Sequence, residues 1–187
     1  MVQFRGGSEF QTGGILQYFE ELKRGTNKEI GPKDIFEIAS KYLLGYSMTF
    51  KQLTVLTGNS VSQLNDVLSF LGGGDVNMRA HCLVDNGDGY CKLRMVVSEP
   101  DKAVEILQAK KLTAVVNDVV LVETDDKPGG LSRLLKMLEN NDIQIDYSYT
   151  AASQTPGIAT MVFRFSDNMK AVKILETNGL KLIKSDR

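Results

Sequence analysis

From residue 52 onward, apolar positions follow two alternating rhythms. Residues 52–57 place Leu53 and Val55 at every second position, the signature of a half-buried strand. Residues 62–71 then put Leu64, Val67, Leu68 and Leu71 on one helical face. Gly72-Gly73-Gly74 ends that helix, because glycine takes left-handed dihedrals at little cost. Period-two alternation returns over 76–84 and 90–98. Pro100 opens a second helix whose core face includes Val104 and Leu107, and a strand near 112–116 closes the unit. The succession then starts again, with strands expected at 119–124, 143–150, 158–165 and 180–184 and helices at 129–139 and 168–177. Asn178-Gly179 stops the last helix.

The second succession is a copy of the first. Leu64 falls on Leu131 at an offset of 67, which also brings Leu53 onto Val120, Val67 onto Leu134, Leu71 onto Leu138, Val76 onto Ile143 and Met78 onto Ile145. One extra residue makes the offset 68, after which Lys102-Ala103-Val104-Glu105-Ile106-Leu107 lies over Lys170-Ala171-Val172-Lys173-Ile174-Leu175. A period this long means two small domains, since solenoid units are typically ~20–50 residues. The expected fold class is α+β: two ferredoxin-like βαββαβ units, each an antiparallel sheet with both helices on one face. A unit of about 65 residues buries a marginal core. Side-by-side joining of the sheets removes two strand edges and stabilises both. The expected division is a first domain over 48–117 and a second over 118–187.

Residues 1–47 stand outside the repeat. Ile15, Phe19 and Leu22 fit one helical stripe, and Ile35, Ile38, Ala39, Tyr42 and Leu43 another, separated by Gly31-Pro32. This segment reads as a helical extension, a partner-binding arm or a non-native leader, and the residues do not choose among them.

Composition narrows the function. At 42% hydrophobic and 24% charged, with a formal net charge of −1, the chain is ordinary globular material with no strongly basic surface. Nucleic acid is therefore not an expected partner. No apolar run of ~18 residues is present and no secretory leader is recognisable, so no membrane role is expected and the expected location is cytoplasmic. Two cysteines and one histidine do not make a four-ligand zinc site, and neither metal nor cofactor is expected. If Asn86-Gly87 forms a two-residue hairpin loop, Cys82 faces Cys91. Their inferred face also carries Met78, Ala80, Leu93 and Met95, so reduced, buried cysteine is preferred to a disulfide, and a longer turn changes the pairing. His81 falls opposite that inferred core. Tyr147 and Tyr149 alternate with Ile145 as packing residues.

The sharpest motif is Thr124-Asp125-Asp126-Lys127-Pro128-Gly129-Gly130-Leu131, between the first strand and first helix of the second copy. Gly129 and Gly130 let the backbone bend closely and present amide N–H groups at a helix N-terminus, which favours a carboxylate or phosphate. Asp126 caps the helix or accepts hydrogen bonds from a ligand ammonium. Amides for a carboxylate and an acid for an amine suit a free amino acid; the plain alternative is a well-capped strand-to-helix turn.

Two βαββαβ units, an Asp-Lys-Pro-Gly-Gly-Leu turn and Asn141-Asp142-Ile143-Gln144-Ile145-Asp146 leading into the second strand resemble tandem ACT domains over about residues 50–185. The first copy supports this through Gly74-Asp75-Val76-Asn77-Met78-Arg79. The resemblance implies a regulatory module that binds an amino acid or similar small effector where two domains pair through their first helices and second strands. It implies ligand contacts from Asp126, Gly129, Gly130, Leu131 and Gln144, and in the first copy from Asn59, Ser62 and Asn77. The first loop, Thr57-Gly58-Asn59-Ser60-Val61-Ser62, lacks the Pro-Gly pair, so unequal sites are expected.

The expected function is thus a non-enzymatic regulator sensing a free amino acid or related carboxylate at inter-domain or inter-subunit interfaces. A homodimer is the expected assembly, with an unidentified metabolic enzyme as the candidate target. The alternative is a partner-binding regulatory subunit with no working effector site. A ferredoxin-like RNA binder is disfavoured because the third strands lack a basic-glycine-aromatic run with exposed rings. No nucleophile–base set suggests catalysis.

Overall fold

The computed structural model describes residues 46–85, 87–153 and 155–186. The amphipathic stripes at 15–22 and 35–43 lie outside them. A two-residue strand, Tyr46–Ser47, pairs antiparallel with Ser185–Asp186. Thr49–Lys184 is a separate compact unit and carries the repeat.

That unit contains β1 (Phe50–Gly58), α1 (Val61–Gly73), β2 (Met78–Asp85), β3 (Tyr90–Val97), α2 (Pro100–Ala109), β4 (Ala114–Asp125), α3 (Gly130–Leu138), β5 (Ile145–Ala151), β6 (Ile158–Phe165) and α4 (Asn168–Thr177). The strands form one antiparallel sheet in the order β2-β3-β1-β4-β6-β5. The two copies join through β4. Its first half pairs with β1, Ala114 opposite Val55 and Val119 opposite Phe50. Its second half pairs with β6, Val120 opposite Phe163 and Asp125 opposite Ile158. The last strand of copy one therefore runs directly into the first strand of copy two, and the expected boundary between 117 and 118 falls inside it. The closing strand expected at 180–184 is a single bridge, Leu182 opposite Val122, held by Ile183 N–H donating to Leu121 O at 2.9 Å.

Both sheet faces carry buried side chains. On one, α1 and α2 cover Leu53, Val55, Leu93 and Met95, with Val67, Leu71, Ala103 and Leu107 supplied by the helices. Val120, Val122, Phe163 and Phe165 are buried on the corresponding face of copy two, as are Leu134 and Leu138 of α3 and Val172 and Leu175 of α4. The Phe163 and Phe165 rings stack at 5.1 Å. The opposite, helix-free face closes on itself, because partners change at Val119/Val120 and bring the strands of the two copies face to face. Phe50, Ala80, Val96, Val119, Leu121 and Val162 meet there, with Tyr147 and Tyr149 packed on them.

A repeated irregularity explains why the tyrosines point inward. Register shifts between Met78 and Ala80 in β2, and between Ile145 and Tyr147 in β5. Arg79 and Asp146 are 67 positions apart, so the bulge is duplicated with the sequence. One extra residue reverses the facing of everything beyond it. Tyr147 and Tyr149 consequently leave the face of Ile145, and Ala80 and Cys82 leave that of Met78. His81 pairs with Met95 and so takes the helix-covered side, opposite to expectation. The hairpin turn is also longer than two residues: Asp85 pairs with Cys91, and Cys82 with Arg94. Cys82 and Cys91 therefore occupy opposite faces, both as free thiols.

Candidate functional site

The strand-to-helix loops of the two copies share a scaffold. Asp126 N–H donates to Gly157 O at 2.9 Å, and its counterpart Asn59 N–H donates to Gly89 O at 3.2 Å. At the start of the second strand, Gln144 N–H donates to Ser166 Oγ at 3.0 Å and Asn77 N–H to Ser98 Oγ at 3.0 Å. Each serine N–H returns a bond to the partner carbonyl. All four candidate side chains, Asn59, Asn77, Asp126 and Gln144, are exposed.

The two helix starts differ. In copy two, Gly129 takes φ +83° as the N-cap of α3, which glycine tolerates readily. Gly130 is buried, and a Cβ there would lie 2.1 Å from Asp125 O. Gly130 N–H donates to Lys127 O, and Arg133 N–H to Gly129 O. Leu131 and Ser132 amides thus stand ahead of the first intrahelical bond in this turn, where donors lack helical acceptors. In copy one, α1 starts earlier, so Ser62 lies within the helix rather than at a left-handed turn. Ser60 caps it, accepting from Gln63 N–H, while Ser60 Oγ donates to Gln63 Oε1 at 2.8 Å. Gln63 folds back over Gly58: a Cβ on that glycine would lie 1.9 Å from Gln63 Oε1. The inequality expected between the loops has this physical form.

The charges of the second loop are paired locally. Asp125 Oδ2 lies 3.0 Å from both Lys127 Nζ and Arg133 Nη2. The hydrogen bond and charge of Lys127, followed by those of Arg133, hold the Asp125 carboxyl below its ordinary range.

An open cavity of about 570 Å³ lies along α3, lined by Ser132, Leu135, Lys136, Leu138, Glu139, Ile143 and Ile145. None of the eight sequence-predicted residues lines it. Leu131 precedes Ser132, and Gln144 sits between Ile143 and Ile145, so these two flank it in sequence; Asp126, Gly129 and Gly130 stand at the N-terminal end of the helix. Asn59, Ser62 and Asn77 belong to copy one. The missed residues left a signal: Ser132, Leu135, Lys136 and Glu139 recur at helical spacing beside the Leu131–Leu138 stripe. Leu131, Leu135 and Ile145 expose much of their apolar surface around this region.

Residues 48–187 match the family model described as an ACT domain pair. The chain belongs to the ACT domain family. ACT domains are regulatory rather than catalytic modules. Protein BT0572 from Bacteroides thetaiotaomicron has a similar structure, with 29% identity, TM-score 0.69, and coverage of 74% of this chain and 94% of its own. The ligand-free regulatory subunit of aspartate kinase from Thermus thermophilus is 11% identical, with TM-score 0.55 and coverage of 71% and 93%. Its counterpart from Thermus flavus is also 11% identical, with TM-score 0.51 and coverage of 71% and 94%. At that identity the two subunits share the fold with this ACT pair. No curated protein matches it in sequence. Among the described residues, no helix is long and apolar enough to cross a membrane, and no acid, histidine and cysteine cluster has the makings of a metal site.

Proposed function

We propose that this ACT pair is a non-catalytic regulator that binds a free amino acid, or a similar small zwitterion, along α3 at an interface between two copies of the chain. The cavity beside α3 carries the proposal. Lys136 and Glu139 supply both charges a zwitterion needs, Ser132 adds a hydroxyl, and Leu135, Leu138, Ile143 and Ile145 offer an apolar wall. Its volume falls within the usual range for small-molecule sites, which bury most of their ligand. This one is open on one side, and the exposed Leu131, Leu135 and Ile145 make a second copy the natural wall. A ligand shared by two copies changes the assembly through its differential affinity for the closed and open states. The glycine turn, through Gly129, Gly130 and Leu131, is proposed to receive the ligand carboxylate, with Asp126 and Gln144 at the rim.

A thermal-shift screen of the full chain against the common amino acids tests this. A ligand at 100 times its Kd adds about 2.7 kcal/mol, or roughly 5–10 °C for a chain of this length. Lys136→Met and Glu139→Gln should each abolish the shift, as should Gly129→Asp. A hit that survives Lys136→Met and Glu139→Gln rules out the cavity; one lost in those variants but kept in Gly129→Asp and Asp126→Ala rules out the turn.

A second reading, a partner-binding subunit without an effector, draws on Gln63 closing the first loop and on Asp125 being occupied by Lys127 and Arg133. The absence of any shift at millimolar amino acid would favour it.

A further inference from the structure

The helix-free face of the sheet is only partly covered by its own fold. Beyond the centre of the inter-sheet contact, three rows of side chains on copy one are open or half-buried, with Cys82, Arg94 and Thr54 the half-buried ones. Register places Cys82, Arg94, Thr54 and Val115 side by side, then Val84, Lys92 and Leu56, then Tyr90 beside Gly58. Leu56 is 55% exposed, Val84 41%, Tyr90 53% and Val115 55%. The sheet cores and inter-sheet core bury apolar side chains of this kind, so their clustering here is unusual.

The formal charge in these three rows is of one sign. Lys92 and Arg94 project from the same side of β3, and among the described residues no acid lies within ion-pair distance of either. Arg94 packs its guanidinium 4.1 Å from the Tyr147 ring centroid and leaves its buried Nε without a hydrogen-bond partner. A partly buried guanidinium normally meets a carboxylate or a full set of acceptors.

We propose that this platform docks a short acidic, amphipathic helix of a partner protein. The three rows, of four, three and two strand positions, fit within roughly 14 by 14 Å, at most about 200 Å², from strand and residue spacings. This is well below the ~800 Å² per side of a standard stable interface, which argues against a second folded copy. It accommodates one helix of ~10–12 Å diameter. Lys92 and Arg94 lie two residues apart on one strand face, about 7 Å, and so match carboxylates at i and i+4 of that helix. Leucine or phenylalanine on the same face would cover Leu56, Val84, Tyr90 and Val115. The surface lies on the helix-free face and does not depend on the effector proposal.

The test uses a labelled peptide of about four helical turns, ~14 residues, with a leucine face and glutamates at i and i+4. Its fluorescence anisotropy is titrated with the full chain. Saturable binding is expected, weakened at least tenfold by Lys92→Glu, by Leu56→Ser, and by glutamine in place of the peptide glutamates. Both variants alter exposed side chains, and an unchanged Tm verifies the fold; Val115→Ser replaces Leu56→Ser if that variant lowers Tm. No saturation by about 1 mM would overturn the proposal, as would insensitivity to either variant. Equal binding of an oligothymidylate of matched charge would also overturn it, because charge alone would then explain the contact.

Discussion

Gln52 is a fully buried amide at the centre of the inter-sheet contact, and replacing it with leucine perturbs the join between the two copies directly. Its Nε2 donates to Tyr147 Oη at 2.9 Å and to Thr54 Oγ1 at 3.1 Å, while Tyr149 Oη donates to its Oε1 at 2.8 Å. Leucine is close in volume, so the main change is polar. Three hydrogen bonds are lost at about 1 kcal/mol each, and the Tyr149 hydroxyl loses its buried acceptor. Added apolar burial returns roughly 1 kcal/mol. The net expectation is a loss of about 2–3 kcal/mol, a large fraction of the ~5–15 kcal/mol that holds a typical domain folded. Urea unfolding followed by far-UV circular dichroism measures it. Adding Tyr149→Phe to Gln52→Leu should cost less than the sum of the single changes, because the orphaned hydroxyl is removed with its partner. A single-variant loss below about 0.5 kcal/mol, or strict additivity of the pair, would refute a cooperative network at this position.

Gly130→Ala should destabilise by about 1–3 kcal/mol, since the new methyl meets the Asp125 carbonyl rather than a movable side chain; equilibrium unfolding reads the change, and a neutral result would show that the turn can relax. Burial first, then Tyr147 and Cys82, raises the Tyr149 hydroxyl pKa above its ordinary value of 10.0, with Arg94 opposing. The raised folded-state pKa means that this contribution is intact below about pH 10 and is lost as pH rises above it, because the unfolded chain ionises first. Tyr149→Phe should therefore flatten the fall in unfolding free energy above pH 10, and an identical slope in both proteins would contradict the assignment. Lys127→Gln should move the Asp125 titration upward, toward 3.8, in a carboxyl NMR titration. No movement would leave Arg133 as the dominant partner.

The repeat offset carries most of the fold. Strand β6 and helix α4 occupy the expected residues, and most other repeat elements fall within a few positions, because period two and period 3.6 are strong signals in half-buried elements; the exceptions are the strands expected at 112–116 and 119–124, which are one strand, and the one expected at 180–184, which is a single bridge. The bulges were not legible. Arg79 and Asp146 are neither glycine nor proline, and the extra residue is visible only once partners are paired. That omission misdirected the faces of His81, Cys82, Tyr147 and Tyr149. The hairpin failed for a related reason: Asp85 accepts from Gly87 N–H and Asp88 from Tyr90 N–H, stabilising a longer turn than Asn-Gly alone suggests. At the candidate site, the helix start at Gly129 was readable from Pro-Gly-Gly. The fold-back of Gln63 was not, since it depends on the close approach of one side chain to Gly58. The cavity residues were masked by the neighbouring core stripe, which explained α3 without them.

β4 makes the two copies share one continuous strand. A gene joining two complete modules ordinarily leaves a tether that a protease can sever, releasing either half intact. Here a cut within residues 114–125 leaves each copy its own strand segment only at the Val119–Val120 bond, and anywhere else it takes strand residues away from one copy, because each half of that strand is hydrogen-bonded to a different copy. A protease acting on this ACT pair therefore meets a hydrogen-bonded strand, not an exposed tether, at the point where the copies join.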